Sequence, residues 1–336
     1  MKKFVRVLLG TLAVIVAFVL VIVAVRFVNG LRYPTPPELA GNPQDPSIYP
    51  LDQPGLSIER VEGHYLNGYH LTPDAPERSG LVVVWGGSEG GPDYARGVQL
   101  AGQGYEVLSL FYFGQPHQPE LLTEVPLEFF DEVLAWRATH APEGPLTVLG
   151  TSKGAELALA LQERYAEIDH VVVYTPTQYV WAGLDYARDA SSWTWRGEPV
   201  PYVSFSHASG GTNFSMFLAL LLNTPIHLRQ TYVTAPEGDP DAAAAALIRL
   251  RSGLPVLAFA GTDDAMWPAD DAVRALTEQS PDVEVHVLPG AGHLFGSNDG
   301  YAAGLALGGT RDANERAKAE SDRILLERLS DWHPAA

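Results

Sequence analysis

"LTVLGTSKGAELALALQER" (residues 146–164) passes from an apolar run, through two glycines, into a run of alanine and leucine. Residues 146–149 read as a buried strand and 153–165 as a buried helix, because Ala155, Leu157, Ala158, Leu159 and Leu161 leave the helix little polar face. Ser152 stands at the junction. A hydroxyl there either caps the helix or serves as a nucleophile. "GTSKG" (150–154) favours the second role, since G-x-S-x-G between a strand and a helix lifts the serine oxygen onto a sharp turn. Gly150 and Gly154 let the two segments pack closely.

Around this junction short apolar runs alternate with helix-like stretches. Strands are predicted at 56–61, 81–85, 105–112, 146–149, 170–174, 255–260 and 283–288, and helices near 93–103, 126–140, 153–165, 268–279 and 313–332. The alternation predicts a mostly parallel sheet with helices on both faces. Residues 176–250 break the rhythm with aromatics, the run "MFLALLL" and an alanine tract, and read as an inserted cap. A serine needs a base, and the base an orienting carboxylate; in the strand–serine–helix arrangement these follow in the order Ser, Asp or Glu, His. "AGTDDAMWP" (260–268) offers Asp263 and Asp264 after a strand, with Asp264 preferred because Gly261 and Pro268 frame it. "LPGAGHLFG" (288–296) offers His293 in a glycine-bracketed loop. Backbone donors for a tetrahedral oxyanion are expected from Gly87, with Ser88 as neighbour, in "WGGSEGG" (85–91), and from the amide of Lys153. The side chains of Glu89 and Lys153 are expected close together beside the site.

The chain has 336 residues, 46% of them apolar, enough for one large domain. A net charge of −18 disfavours nucleic acid, and the absence of cysteine excludes disulfides and thiolate chemistry. No metal or cofactor motif stands out. Residues 7–25 carry no charge and as a helix would extend about 29 Å, matching the ~30 Å hydrocarbon core of a bilayer. We therefore divide the chain into an anchor over 1–30, a proline-rich linker over 31–55 holding little regular structure, and a catalytic domain over 56–336. Lys2, Lys3 and Arg6 outweigh Arg26 and Arg32, predicting a single-pass protein with a cytoplasmic amino terminus and an extracytoplasmic domain.

"GGSEGG", "GTSKGAELAL", "SSWTWRGEPVPYV" and "LGGTRDANERAKAESDRILLERL", together with "GTDDAMWP" and "GAGH", resemble the carboxy-terminal catalytic domain of acyl-CoA thioesterases and bile acid-CoA:amino acid N-acyltransferases, an α/β-hydrolase with dienelactone hydrolases as more distant relatives. The resemblance implies Ser152 as nucleophile, Asp264 as acid and His293 as base, the three residues already reached from the pattern. It implies a small-molecule ester or thioester substrate. Water is the expected acceptor, because the amino-acid-conjugating members generally carry cysteine where Ser152 stands. Transfer to an amine and a membrane-tethered binding role without chemistry are the alternatives. Trp193, Trp195 and "MFLALLL" are expected to line or cover an apolar acyl pocket. No oligomeric state is implied.

Overall fold

The computed structural model describes residues 2–34, 41–141, 143–185 and 187–335. Part of the expected linker, residues 35–40, lies outside the described residues. Helix α1 (Lys2–Arg32) is long and apolar enough to cross a membrane, with a mean hydropathy of 3.1 and none of its apolar window buried.

Residues 41–55 differ from the irregular tether expected of them. Asp45 caps a 3-10 turn over Pro46–Ile48, and Tyr49 packs against Tyr69, Tyr94 and Phe111. The phenols of Tyr69 and Tyr94 donate to the carbonyls of Pro46 and Pro50. Prolines that cannot donate still accept, so the segment is laced onto the domain through its carbonyls.

Strand β1 (Asp52–Gln53) then joins the edge of a sheet that runs through β2 (Leu56–Glu62), β3 (Asn67–Pro73), β4 (Leu81–Trp85), β5 (Glu106–Phe111), β7 (Leu146–Thr151), β8 (His170–Tyr174), β11 (Val256–Gly261) and β12 (Val283–Leu288). Among the described residues its order is β1-β2-β3-β5-β4-β7-β8-β11-β12. The first three strands are antiparallel, and β2 and β3 form a hairpin; from β5 to β12 neighbouring strands run parallel. Helices α2 (Tyr94–Ala101), α3 (Phe130–His140), α4 (Lys153–Gln162), α8 (Ala269–Gln279) and α9 (Arg311–Trp332) cover it.

Alternation along the strands explains the two layers. Val83 and Trp85 join Val148, Val171 and Val173 in a core with residues of α3, α4 and α8, whereas Val82 and Val84 join Leu149, Val172 and Phe259 against α2 and α9. Both sheet faces are buried, which is why these strands are valine-rich without polar alternation. The expected helix over 126–140 is shorter at its start: β6 (Val125–Pro126) pairs with β9 (Trp193–Trp195), and a 3-10 turn leads into α3. Pro126 fits a strand end better than a helix interior.

Between β8 and β11 the chain leaves the sheet. This excursion carries β9, β10 (Glu198–Pro199), α5 (Gly210–Leu222), α6 (Arg229–Gly238) and α7 (Pro240–Ala246). A short hairpin of β13 (Tyr301–Ala302) and β14 (Leu305–Ala306) precedes α9.

Candidate active site

Ser152 sits where β7 becomes α4, at φ 56° and ψ −117°. A non-glycine residue in that region stores about 1–3 kcal/mol of strain, which the surrounding packing must hold. The packing is close: a methyl group on Gly154 would stand 2.1 Å from the carbonyl oxygen of Gly86. Ser152 occupies the helix-capping position, yet its side chain makes no capping bond. Its Oγ instead lies 2.8 Å from Nε2 of His293, whose Nδ1 lies 2.8 Å from Oδ2 of Asp264. Because a carboxylate only accepts, Nδ1 carries the ring hydrogen and Nε2 turns its lone pair to the serine hydroxyl.

Each partner is fixed by its own loop. Asp264 follows β11, and its Oδ1 accepts the amides of Met266 and Trp267 at 2.8 and 3.2 Å. Asp263, the other expected acid, is exposed and bonds Thr262. Of the two adjacent aspartates, Asp264 is the one that meets His293. His293 follows β12; its amide donates to Leu307, and the edge-on ring of Trp267 lies 5.4 Å from its imidazole. Gly308, at φ 81°, lets the segment before α9 close on the Asp264 loop, since a methyl group there would stand 1.8 Å from the Asp263 carbonyl oxygen. Ser152, Asp264 and His293 are only 6%, 2% and 3% exposed, so the three stand in a nearly closed site.

The glycine-rich turn after β4 reaches the same place. A Cβ built on Gly87 would lie 3.2 Å from Cβ of Ser152. Its amide, the expected oxyanion donor, is engaged by a carboxylate: Gly87 N donates to Oε1 of Glu89 at 2.8 Å. Tyr112 donates to the carbonyl of Gly87 at 2.6 Å and holds the turn from behind. Although part of the Glu89 side chain meets solvent, its oxygens press on Gly86 and Gly87, and desolvation pushes the carboxyl above its usual range against the opposing pull of the Gly87 amide and His293.

The family model described as "BAAT / Acyl-CoA thioester hydrolase C terminal" matches residues 125–297, a stretch that contains Ser152, Asp264 and His293. The chain belongs to this family. Human acyl-coenzyme A thioesterase 6 is 37% identical over 112 residues, covering 32% of this chain and 26% of that protein. Mouse acyl-coenzyme A amino acid N-acyltransferase 1 is 34% identical over 111 residues, again 32% of this chain and 26% of the relative. In both cases the match spans about a quarter of the relative's length. An esterase of Pyrococcus furiosus superposes with a TM-score of 0.51 at 15% identity, over 89% of this chain and 97% of its own, which establishes the α/β-hydrolase fold.

Three expectations within this family domain need correction. Lys153 does not pair with Glu89: its ammonium is buried and bonds Oε2 of Glu156 and the hydroxyl of Ser192, both at 2.7 Å. Trp193 lies in the core, with its indole N–H on Oε1 of Glu156 at 2.8 Å, and Trp195 packs on Tyr165 and Arg164. The "MFLALLL" run forms the exposed α5. Trp193 therefore serves a buried Lys153–Glu156 pair in which desolvation pushes the carboxyl up and the ammonium down.

Two positions were not visible from spacing. Glu89 was read as half of an ion pair, and its bond to Gly87 depends on a turn geometry that the letters "GGSEGG" do not encode. Asn314, fully buried in α9, accepts the amide of Gly292 at 2.8 Å and donates to Asn298 at 2.9 Å, so it holds the loop bearing His293. A buried amide at the end of "GGTRDAN" was its only available signal.

Proposed function

We propose that the chain is a membrane-anchored serine acyl hydrolase acting on an ester or thioester through a covalent acyl-enzyme. The continuous hydrogen-bonded series from Ser152 through His293 to Asp264 carries this reading. Ser152 Oγ attacks the acyl carbonyl while Nε2 of His293 takes its proton. Nε2 then gives that proton to the departing oxygen or sulfur; a water enters and attacks the acyl carbonyl as Nε2 takes its proton, and the acid leaves as that proton returns to Ser152 Oγ. Asp264 holds the imidazole and balances its transient charge. The amides of Gly87 and Lys153 are the assigned oxyanion donors, which requires the Glu89 carboxylate to move off Gly87 when substrate binds.

We assign residues 1–30 to the anchor, 31–55 to the connection and 56–336 to the catalytic domain, with 176–250 as its cap. The charge bias around α1 supports a cytoplasmic amino terminus and a domain on the other side. The names of the relatives support an acyl thioester or ester as substrate.

The test supplies full-length protein in detergent micelles with p-nitrophenyl and coenzyme A esters of one acyl chain, with and without glycine. Free acid is expected as the product in both cases, and none from Ser152→Ala. Acyl-glycine as the main product would replace hydrolysis by transfer. Absence of turnover from folded protein on every ester would favour the binding role.

A further inference from the structure

We propose that α5 is a second membrane contact, seated among the lipids of the leaflet from which the carboxy-terminal end of α1 emerges. The inference rests on the reading of α1 as a membrane span and holds for either orientation of that span. Helix α5 has no buried residue, yet its last turns are apolar on every side. Phe214, Phe217 and Leu220 are 61%, 57% and 58% exposed, and Met216 and Leu218 are exposed as well. Among the described residues outside α1, the other exposed large apolar side chains are only Ile48, Leu51, Leu121 and Val287. A helix that is apolar all round belongs in a core or in lipid.

Its position identifies the occupant. Arg26 closes the charge-free run of α1, where a span meets the headgroups, and its guanidinium donates to the carbonyls of Leu220 and Leu221 at 2.5 and 3.0 Å. Asn29 donates to Leu222 at 2.7 Å, and Asn223 donates back to the Arg26 carbonyl. The free carbonyls at the end of α5 are thus satisfied by α1 itself, as a low-dielectric setting demands. One level further out, Tyr33 and Tyr301 meet edge to face at 5.2 Å, the ring type favoured at a membrane–water boundary. Thirteen residues give α5 about 20 Å, too short to cross a ~30 Å core but long enough to lie in its boundary. A groove of 420 Å³ lined by Leu218, Leu222, Tyr33 and Tyr301 opens beside it, with room for part of a lipid chain.

The contact is coupled to the reacting groups. After α5, Ile226 hydrogen-bonds Gly304 and Ala306 of the β13–β14 hairpin, which continues into Leu307, the acceptor of the His293 amide. Arg229 then donates to the carbonyl of Asp264 at 3.2 Å. A bilayer that fixes α5 therefore holds the site near the lipid surface.

Because the chain lacks cysteine, single thiols can be placed at will. Full-length Phe217→Cys, Val19→Cys and Glu327→Cys, each labelled with an environment-sensitive nitrobenzoxadiazole, would be reconstituted in phosphatidylcholine vesicles, with circular dichroism confirming the fold. Expected are a blue-shifted probe at 217 that is quenched by lipids with a nitroxide near the headgroup, a probe at 19 quenched by a deep nitroxide, and a water-like probe at 327. A water-like probe at 217 with a quenched probe at 19 would overturn the α5 contact and leave the anchor standing. An unquenched probe at 19 would overturn the anchor and the inference with it. A blue-shifted probe at 217 that no lipid nitroxide quenches would mean that protein, such as a second copy, covers α5, and would overturn the lipid assignment.

Discussion

Glu89 occupies the donor that hydrolysis would need. A carboxylate bonded to the Gly87 amide at 2.8 Å and an oxyanion cannot share that N–H, so the proposed hydrolysis requires each cycle to displace the side chain. One oxyanion donor is worth ~10²–10³ in rate, and freeing it from competition recovers part of this. Glu89→Ala is therefore expected to raise kcat/KM on a small ester about tenfold, read from initial rates; a fall would show that Glu89 orders the glycine turn instead. Ser152, Asp264 and His293 were legible in the sequence because each follows a strand at a position where glycines force a bend. Glu89 was not, since a contact between a side chain and the backbone two residues away is set by loop torsions. The choice between Asp263 and Asp264 likewise needed coordinates, because one residue decides whether a carboxylate faces His293 or Thr262.

Among the elements, α9 is tied to the sheet by histidines. His333, just beyond it, bonds Thr147 of β7 and the Ser79 carbonyl, while His170 of β8 stacks on Trp332 at 4.4 Å. Burial, reinforced by the neighbouring His333, pulls His170 from 6.5 down to about 4, and burial also lowers His333. Between those values the unfolded chain binds more protons than the folded one, so stability present above pH 6.5 is lost as pH falls toward 4. The urea midpoint of the parent is expected to drop across this interval more than that of His170→Phe, which keeps the stack but not the titration. Equal drops would assign the acid sensitivity elsewhere. At this scale most strands and helices were legible through periodicity, whereas the roles of α5 and Trp193 were not. Hydropathy marks a segment as apolar without saying whether core, pocket or lipid receives it. Trp193 fills a core place because its N–H satisfies Glu156, a partner hidden inside an otherwise apolar helix pattern.

For the whole molecule, the packed residues 41–55 and the bonds from Arg26 and Asn29 to α5 set the domain against the end of α1. An alkaline phosphatase reporter fused at the carboxy terminus is expected to be active if the proposed orientation holds; activity only of a cytoplasmic reporter would reverse the orientation and bring the domain to the coenzyme A pool. The reaction chemistry stands or falls separately from topology, on whether His293 activates Ser152. Full-length protein exposed to a fluorophosphonate, beside Ser152→Ala, decides this by intact mass. One adduct on the parent and none on the variant is expected. Folded parent that takes no adduct, or a variant that takes the same one, would contradict Ser152 as the nucleophile.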